Sequence, residues 1–226
     1  MEKLCYLVFR DAEVPGSALR EALVEKAVPS LRAAGAREIT LHVQDEEVAA
    51  GTPLRRSDPP IRAMVSFWLQ DADERGPCEA ALAPHAARLA GYLVVESRPL
   101  IHEMPKGRRS PGMNQVTCVA RKPGLDYAEF IRIWHGDHRA VAIETQSTTG
   151  YVRNEIVRPL TPGAPAWAAI VEETFPIGAL TDPRVFYDAT DDADLRARMD
   201  RMLKSCERFL DFGPMEYTLT SEYYLG

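Results

Sequence analysis

The segment GLDYAEFIRIWHGDHRAVAIETQSTTGYVRN, residues 124 to 154, holds the side chains best suited to chemistry. His138 is its leading candidate, because an imidazole titrates near neutrality and moves a proton without help from a cofactor. On a helix running from Leu125 to Glu144, Phe130, Trp134, Asp137, His138 and Val141 fall within about 100° of one another, while His135 and Arg139 point away. His138 is therefore expected to face the sheet or an internal cavity, and His135 to face water. Periodicity alone leaves a second reading open, a core histidine whose ring nitrogens are both satisfied. Gly136 costs about 1 kcal/mol relative to Ala inside a helix, which suggests a local distortion or a close approach, or a glycine tolerated without a role. His135 and His138, with Asp137 between them, also spell a metal-like HxxH. Helical geometry sends the two imidazoles in different directions and no third ligand is obvious nearby, so no metal is expected.

Strand alternation nominates the company of His138. Tyr151 offers a phenol and Asn154 an amide; three residues apart, they face opposite sides of a regular strand, so at most one shares the face of His138. Glu172 and Glu173 sit in mid-strand, where one must point inward and a buried carboxylate needs a partner. That partner is either His138 itself, whose ring a glutamate would orient, or an arginine such as Arg153 or Arg158. With Phe130 and Trp134 as apolar walls, these residues form the candidate substrate-binding set.

The elements that must position them recur in one order. Leu4–Phe9 reads as a strand, Ser17–Ala34 as a helix, Glu38–Gln44 and Ile61–Leu69 as strands, Asp73–Leu89 as a helix and Tyr92–Leu100 as a strand. Pro29 warns of a kink or break near residue 28. The second half repeats the order with Gln115–Ala120, the helix at 125–144, Tyr151–Arg158, Trp167–Phe175, a helix at Ala193–Leu210 and Tyr217–Leu225. Leu195, Met199, Met202, Leu203, Cys206, Phe209 and Leu210 give that last helix one apolar stripe, read as core, and acidic residues crowd its first turn. The Pro- and Gly-containing HEMPKGRRSPG stretch, His102 to Gly112, reads as the connection. Residues 1–103 then form an N-terminal unit, 104–112 a linker and 113–226 the C-terminal unit with the candidate site. A βαββαβ unit leaves one sheet face in need of cover, and two units in one chain can cover each other.

Composition agrees with an ordinary globular chain: 226 residues, 46% hydrophobic and 27% charged, with a formal net charge of −6. No basic cluster suits a polyanion, so nucleic acid is not an expected partner, and no apolar run suits a membrane. The start lacks the pattern of a secretory leader, which makes a cytoplasmic location the expectation. Cys5, Cys78, Cys118 and Cys206 lack CxxC spacing and read as buried thiols.

Phe130, Trp134 and His138 at four-residue spacing, GYVRN at Gly150 to Asn154 and FLD at Phe209 to Asp211 together resemble the EthD family, which is named for a protein of ether degradation. The resemblance spans about residues 113 to 225 and implies the dimeric α+β barrel fold. GRRSPGMNQV, ETQSTTGYVRN and AAIVEETFP are similar to longer, tandem members whose first half keeps the fold without the motif. Here the first helix has no Trp or His, and Pro29 and Ser30 lie where the motif would fall. The fold class expected is α+β, two ferredoxin-like βαββαβ units in tandem forming an intramolecular barrel, either as a monomer with an internal pseudo-dimer or as a homodimer.

Three functions follow. The first is a cofactor-independent enzyme with His138 as general acid or base in an elimination, cyclisation, isomerisation or hydrolysis of a small hydrophobic organic molecule. The resemblance implies a catabolic substrate such as an ether, aromatic or terpenoid-like compound. The second is a binding or accessory protein that holds such a molecule for an oxygenase. The third, implied by related barrels, is a haem protein with His138 as axial ligand. Fold alone does not choose among them.

Overall fold

The computed structural model describes residues 1–226, the whole chain. Its strands are β1 (Glu2–Phe9), β2 (Arg37–Val43), β3 (Ile61–Leu69), β4 (Arg88–Leu100), β5 (Met113–Arg121), β6 (Gly150–Pro159), β7 (Ala169–Phe175) and β8 (Leu210–Tyr224). Hydrogen bonding joins them in the order β1-β3-β2-β8-β5-β7-β6-β4 into one closed, antiparallel barrel. Two seams, β2·β8 and β4·β6, unite the halves. The expectation of two sheets covering each other thus changes form: they join edge to edge, and no strand edge is left free for a second copy.

Closure explains the unbroken apolar run of β1. Cys5, Leu7 and Phe9 fill the barrel together with Met64, Tyr92, Val116, Cys118 and Ile170. Leu4, Tyr6 and Val8 alternate with them and face the helices, so both sets are buried.

The first helix consists of α1 (Gly16–Ala22), a π-helical turn at Leu23–Ala27 and α2 (Val28–Ala33). Pro29 does not break it. The wide i→i+5 turn ends just before, and Pro29 sits in the first turn of α2, where a missing N–H is tolerated. Leu19, Leu23, Ala27 and Leu31 are buried against β1 and its neighbours. The helix expected at 73–89 shrinks to α3 (Gly76–Leu82), because Arg88 and Leu89 already pair with β1.

The corresponding helix of the second half has the same construction: α4 (Tyr127–Arg132), a π-helical turn at Ile133–His138 and α5 (Arg139–Thr145). A short α6 (Pro183–Phe186) precedes α7 (Asp192–Cys206), which Asp191 caps by accepting from the N–H groups of Ala193 and Asp194. It ends four residues before the expected Leu210, which starts β8. No helix is long and apolar enough to cross a membrane.

Because both seams are hydrogen-bonded ladders, opening one half breaks the other. Equilibrium unfolding in urea should give coincident transitions by far-UV circular dichroism and by tryptophan fluorescence, which reports Trp68 in one half and Trp134 and Trp167 in the other. Separate transitions would mean that the halves unfold independently.

Candidate active site

The π-turn decides which side chains of the motif reach the interior. Residues four apart drift by about 40° per step on an α-helix. The wider turn at Ile133–His138 takes up that drift, so Phe130, Trp134, His138 and Ala142 are all buried. Asp137, expected on their face, is turned outward by the same widening and pairs with Arg132 and Arg208. Gly136 lies within this turn, with open space where a Cβ would be. His135 is half-buried rather than wet, its ring centroid 4.9 Å from that of Trp134 and its Nε2 3.3 Å from Glu155. Counting from the two π-turns puts Ala27, not Pro29 or Ser30, at the place His138 holds in the second half.

His138 opens onto a cavity of about 1000 Å³ between the outer face of the C-terminal sheet and the π-helical turn at Ile133–His138, α6 and α7. Twenty of its 30 lining residues are hydrophobic, in keeping with small-molecule pockets. Met199 and Leu203 belong to this wall and are 44% and 50% exposed, so the stripe of α7 is part core and part pocket mouth. The His138 Nδ1 shares a 2.9 Å hydrogen bond with the Ser205 hydroxyl, and its ring stands 4.7 Å from that of Phe209. No protein group bonds Nε2. Burial pushes the imidazole down to about 4, with Arg208 adding to the effect, so His138 is neutral at neutral pH.

Across the cavity floor run three side chains in cross-strand register, Gln115 on β5, Glu173 on β7 and Tyr151 on β6. Trp134 Nε1 donates to the Tyr151 hydroxyl at 3.0 Å. The Arg153 guanidinium lies 5.8 Å from the Trp134 ring centre and 5.9 Å from that of Tyr151. Glu173 has no hydrogen-bond or ion-pair partner, and burial alone raises its carboxyl to about 7. It therefore pairs with neither His138 nor Arg153 nor Arg158.

Of the candidates from sequence, His138, Trp134, Tyr151 and Glu173 share the cavity. Phe130 lies beneath it, packed on Trp134 and Phe209 at 5.5 and 5.8 Å. Asn154 and Glu172 have the opposite parity and point into the barrel, where Asn154 Nδ2 donates to Glu172 at 2.7 Å. Ser205, Gln115 and Tyr187 join the site from outside the sequence candidates. Ser205 had a signal, a polar residue three positions after Met202 on the buried face of the last helix. Cys206 is half-buried in the cavity wall, and burial lifts its thiol to about 12, which leaves it unreactive. For haem, the free Nε2 of His138 is a possible axial ligand, but the propionates would meet a lining with one cation, Arg196, against Glu173 and Asp200. The donor set does not fit that group.

The raised Glu173 carboxyl makes a prediction about stability. Its folded value exceeds its unfolded one, so the folded state binds more protons between about pH 4.5 and 7 and stability falls as pH rises through that window. Glu173→Gln should be neutral at pH 4 and stabilising by about 2–3 kcal/mol at pH 8, read from thermal melts across pH. An equal effect at both pH values would mean that the carboxyl is not raised.

Residues 122–213 match the EthD domain family. No curated protein matches the sequence. Among solved structures, an anthrone oxidase-like protein shares 10% identity over 100% of this chain and 93% of its own, with a TM-score of 0.56. A dye-decolorizing peroxidase from Bacteroides thetaiotaomicron VPI-5482 (9% identity, 98% of this chain, 93% of that one, TM-score 0.48) superposes more loosely. So does a mutant chlorite dismutase from Candidatus Nitrospira defluvii (11% identity, 97% and 91%, TM-score 0.47). At these identities the likeness is one of fold, an α+β protein with a closed eight-stranded barrel of the dimeric α+β type. With the motif, the barrel and the family match in agreement, this chain carries an EthD domain over residues 122–213.

Proposed function

We propose that the protein is a cofactor-independent acid–base enzyme acting on a small hydrophobic organic molecule held in the C-terminal cavity. One observation carries this reading: a carboxyl and an imidazole open into the same largely apolar cavity with no protein partner on Glu173 or on His138 Nε2, and the carboxyl titrates above the imidazole. The usual order is reversed. Between about pH 4 and 7 a protonated Glu173 and a neutral His138 coexist, a proton donor and a proton acceptor in one pocket.

In this reading Nε2 of His138 takes a proton from the substrate while Ser205 receives the Nδ1–H and fixes the tautomer. Glu173 supplies a proton to the negative charge that develops, and the Tyr151 hydroxyl, already accepting from Trp134, donates a further hydrogen bond. Elimination, isomerisation, cyclisation and hydrolysis all fit such a pair. Residues 1–103 then serve as a ferredoxin-like support, 104–112 as connection and 113–226 as the ferredoxin-like half with the site, a division in keeping with an apolar N-terminal core that lacks the histidine.

The first test is mass spectrometry of purified protein mixed with a catabolic metabolite extract. Consumption of a metabolite supports the enzyme, whereas enrichment without conversion would mark a binding or accessory protein. With a substrate in hand, His138→Gln and Glu173→Gln should each lower turnover by about 10²-fold or more, and His135→Gln should change it little. The pH profile of kcat/KM should be a bell, rising through about 4 as His138 deprotonates and falling through about 7 as Glu173 does, and Glu173→Gln should abolish the alkaline limb. A rate that instead rises through 7 would reverse the role of Glu173.

A further inference from the structure

Inside the barrel, away from the cavity, three strands bring His42, Glu172 and Glu222 together. All three are buried, His42 completely. Its Nε2 lies 3.1 Å from Glu172 Oε2 and 3.8 Å from Glu222 Oε1, and one ligand atom from each residue falls within 4.8 Å of the others. Neither nitrogen of His42 makes a hydrogen bond: the contact with Glu172 is close but misdirected, and Nδ1 has no partner.

The outer oxygens of the two glutamates are engaged elsewhere. Glu172 Oε1 accepts from Asn154 Nδ2 at 2.7 Å and lies 3.5 Å from Lys3 Nζ. Glu222 Oε2 shares a 2.7 Å bond with His102 Nε2. His102 in turn packs so closely on Gly150 that a Cβ there would come within 2.2 Å of its Nδ1. So each carboxylate is held by its outer oxygen and presents the inner one to an unbonded imidazole nitrogen. Charge points the same way. Lys3 is divided between Glu96 at 2.5 Å and Glu172 at 3.5 Å, with Arg98 pairing to Glu96 from the rim, and Glu222 has no Lys or Arg partner.

We propose that His42 Nε2, Glu172 Oε2 and Glu222 Oε1 form a site for one divalent first-row transition-metal ion inside the barrel, with Asn154, Lys3 and His102 orienting the carboxylates. Ligand atoms at about 2.0–2.2 Å from a tetrahedral ion stand about 3.3 Å apart, between the two spacings to His42. An imidazole with two carboxylates suits Zn²⁺ or Mn²⁺. The ion neutralises both glutamates and occupies the lone pair of Nε2. A protonated His42 would instead bury an Nδ1–H without an acceptor. Spacing rules based on nearby ligands miss this set, because its members come from β2, β7 and β8.

Full-length protein, stripped with a chelator and dialysed, should bind about one equivalent of Zn²⁺ or Mn²⁺ by titration calorimetry and elemental analysis. His42→Gln and Glu222→Gln should weaken binding by about 100-fold or more, since even outer-shell changes cost roughly 10–100-fold. Glu155→Gln, at the surface His135 pair, should leave it unchanged. In case a variant fails to fold, wild-type crystals grown with Zn²⁺ should give an anomalous peak among the three named atoms. Absence of stoichiometric binding by both metals, binding unaltered in both barrel variants, or a peak elsewhere would overturn the site.

Discussion

Closure of the eight-stranded sheet is the constraint on which the rest of the molecule depends. With both seams hydrogen-bonded, every strand has one set of side chains committed to a sealed interior and the alternate set committed to the helices. The interior is narrow enough for side chains to fill. Part of it is apolar, with Phe9, Met64 and Tyr92 in one cluster, and part is polar, holding Lys3, His42, Asn154, Glu172 and Glu222. A change of one residue in parity therefore moves a group between two unlike environments. Glu172 and Glu173 are neighbours in sequence and have opposite fates. Burial would raise both; the charges of Lys3 and His42, with the hydrogen bond from Asn154, hold Glu172 well below the usual carboxylate range, whereas Glu173 has nothing to offset its burial.

The two halves share the π-turn but use it differently. In the first, Leu19, Leu23, Ala27 and Leu31 sit flush on the sheet, and the 21-residue core leaves that face solid. In the second the same four-residue spacing presents Phe130, Trp134, His138 and Ala142. Phe130 and Trp134 continue the packing, but His138 marks the edge at which it stops. Beyond it α7 stands off the sheet, with Ser205 on its buried side and Met199 and Leu203 open to the mouth. A π-turn costs hydrogen-bond quality and is commonly found at functional sites. Only the second copy has a titratable group at its end.

What was legible in the sequence was whatever depends on local period. The order of elements and the burial of Phe130, Trp134 and His138 followed from spacing, and the family resemblance came from the same residues. The opposite parity of Tyr151 and Asn154 was legible too, since three residues on a strand reverse the face. Which face is barrel and which is cavity was not, because both faces of a closed, helix-covered sheet are buried and apolar-rich, and hydropathy cannot rank them. Asp137 faces outward because a π-turn replaces the ideal 3.6-residue turn there, a change that hydropathy period does not reveal. His42 carried no signal at all. It is a single histidine in a strand, and its neighbours in space come from residues more than 100 positions away.

The unpaired Glu173 remains the strongest physical reason to read the cavity as a working site. Its face of β7 runs Val171, Glu173, Phe175, and the two flanking positions are apolar and buried. A valine or leucine at 173 would extend that surface without any polar group to satisfy, so nothing in packing calls for a carboxyl there. No arginine, lysine or histidine comes within ion-pairing distance, and the carboxyl is held near 7 by burial alone. A group that lowers the stability of its own fold and faces an open cavity is best explained by what enters the cavity. The same logic applies less strongly to His138, whose Nδ1 is satisfied by Ser205 while Nε2 is left free. One half-satisfied imidazole and one unsatisfied carboxyl on opposite walls define the chemistry a ligand would meet: an acceptor lone pair, an acidic proton and, between them, a mostly apolar space.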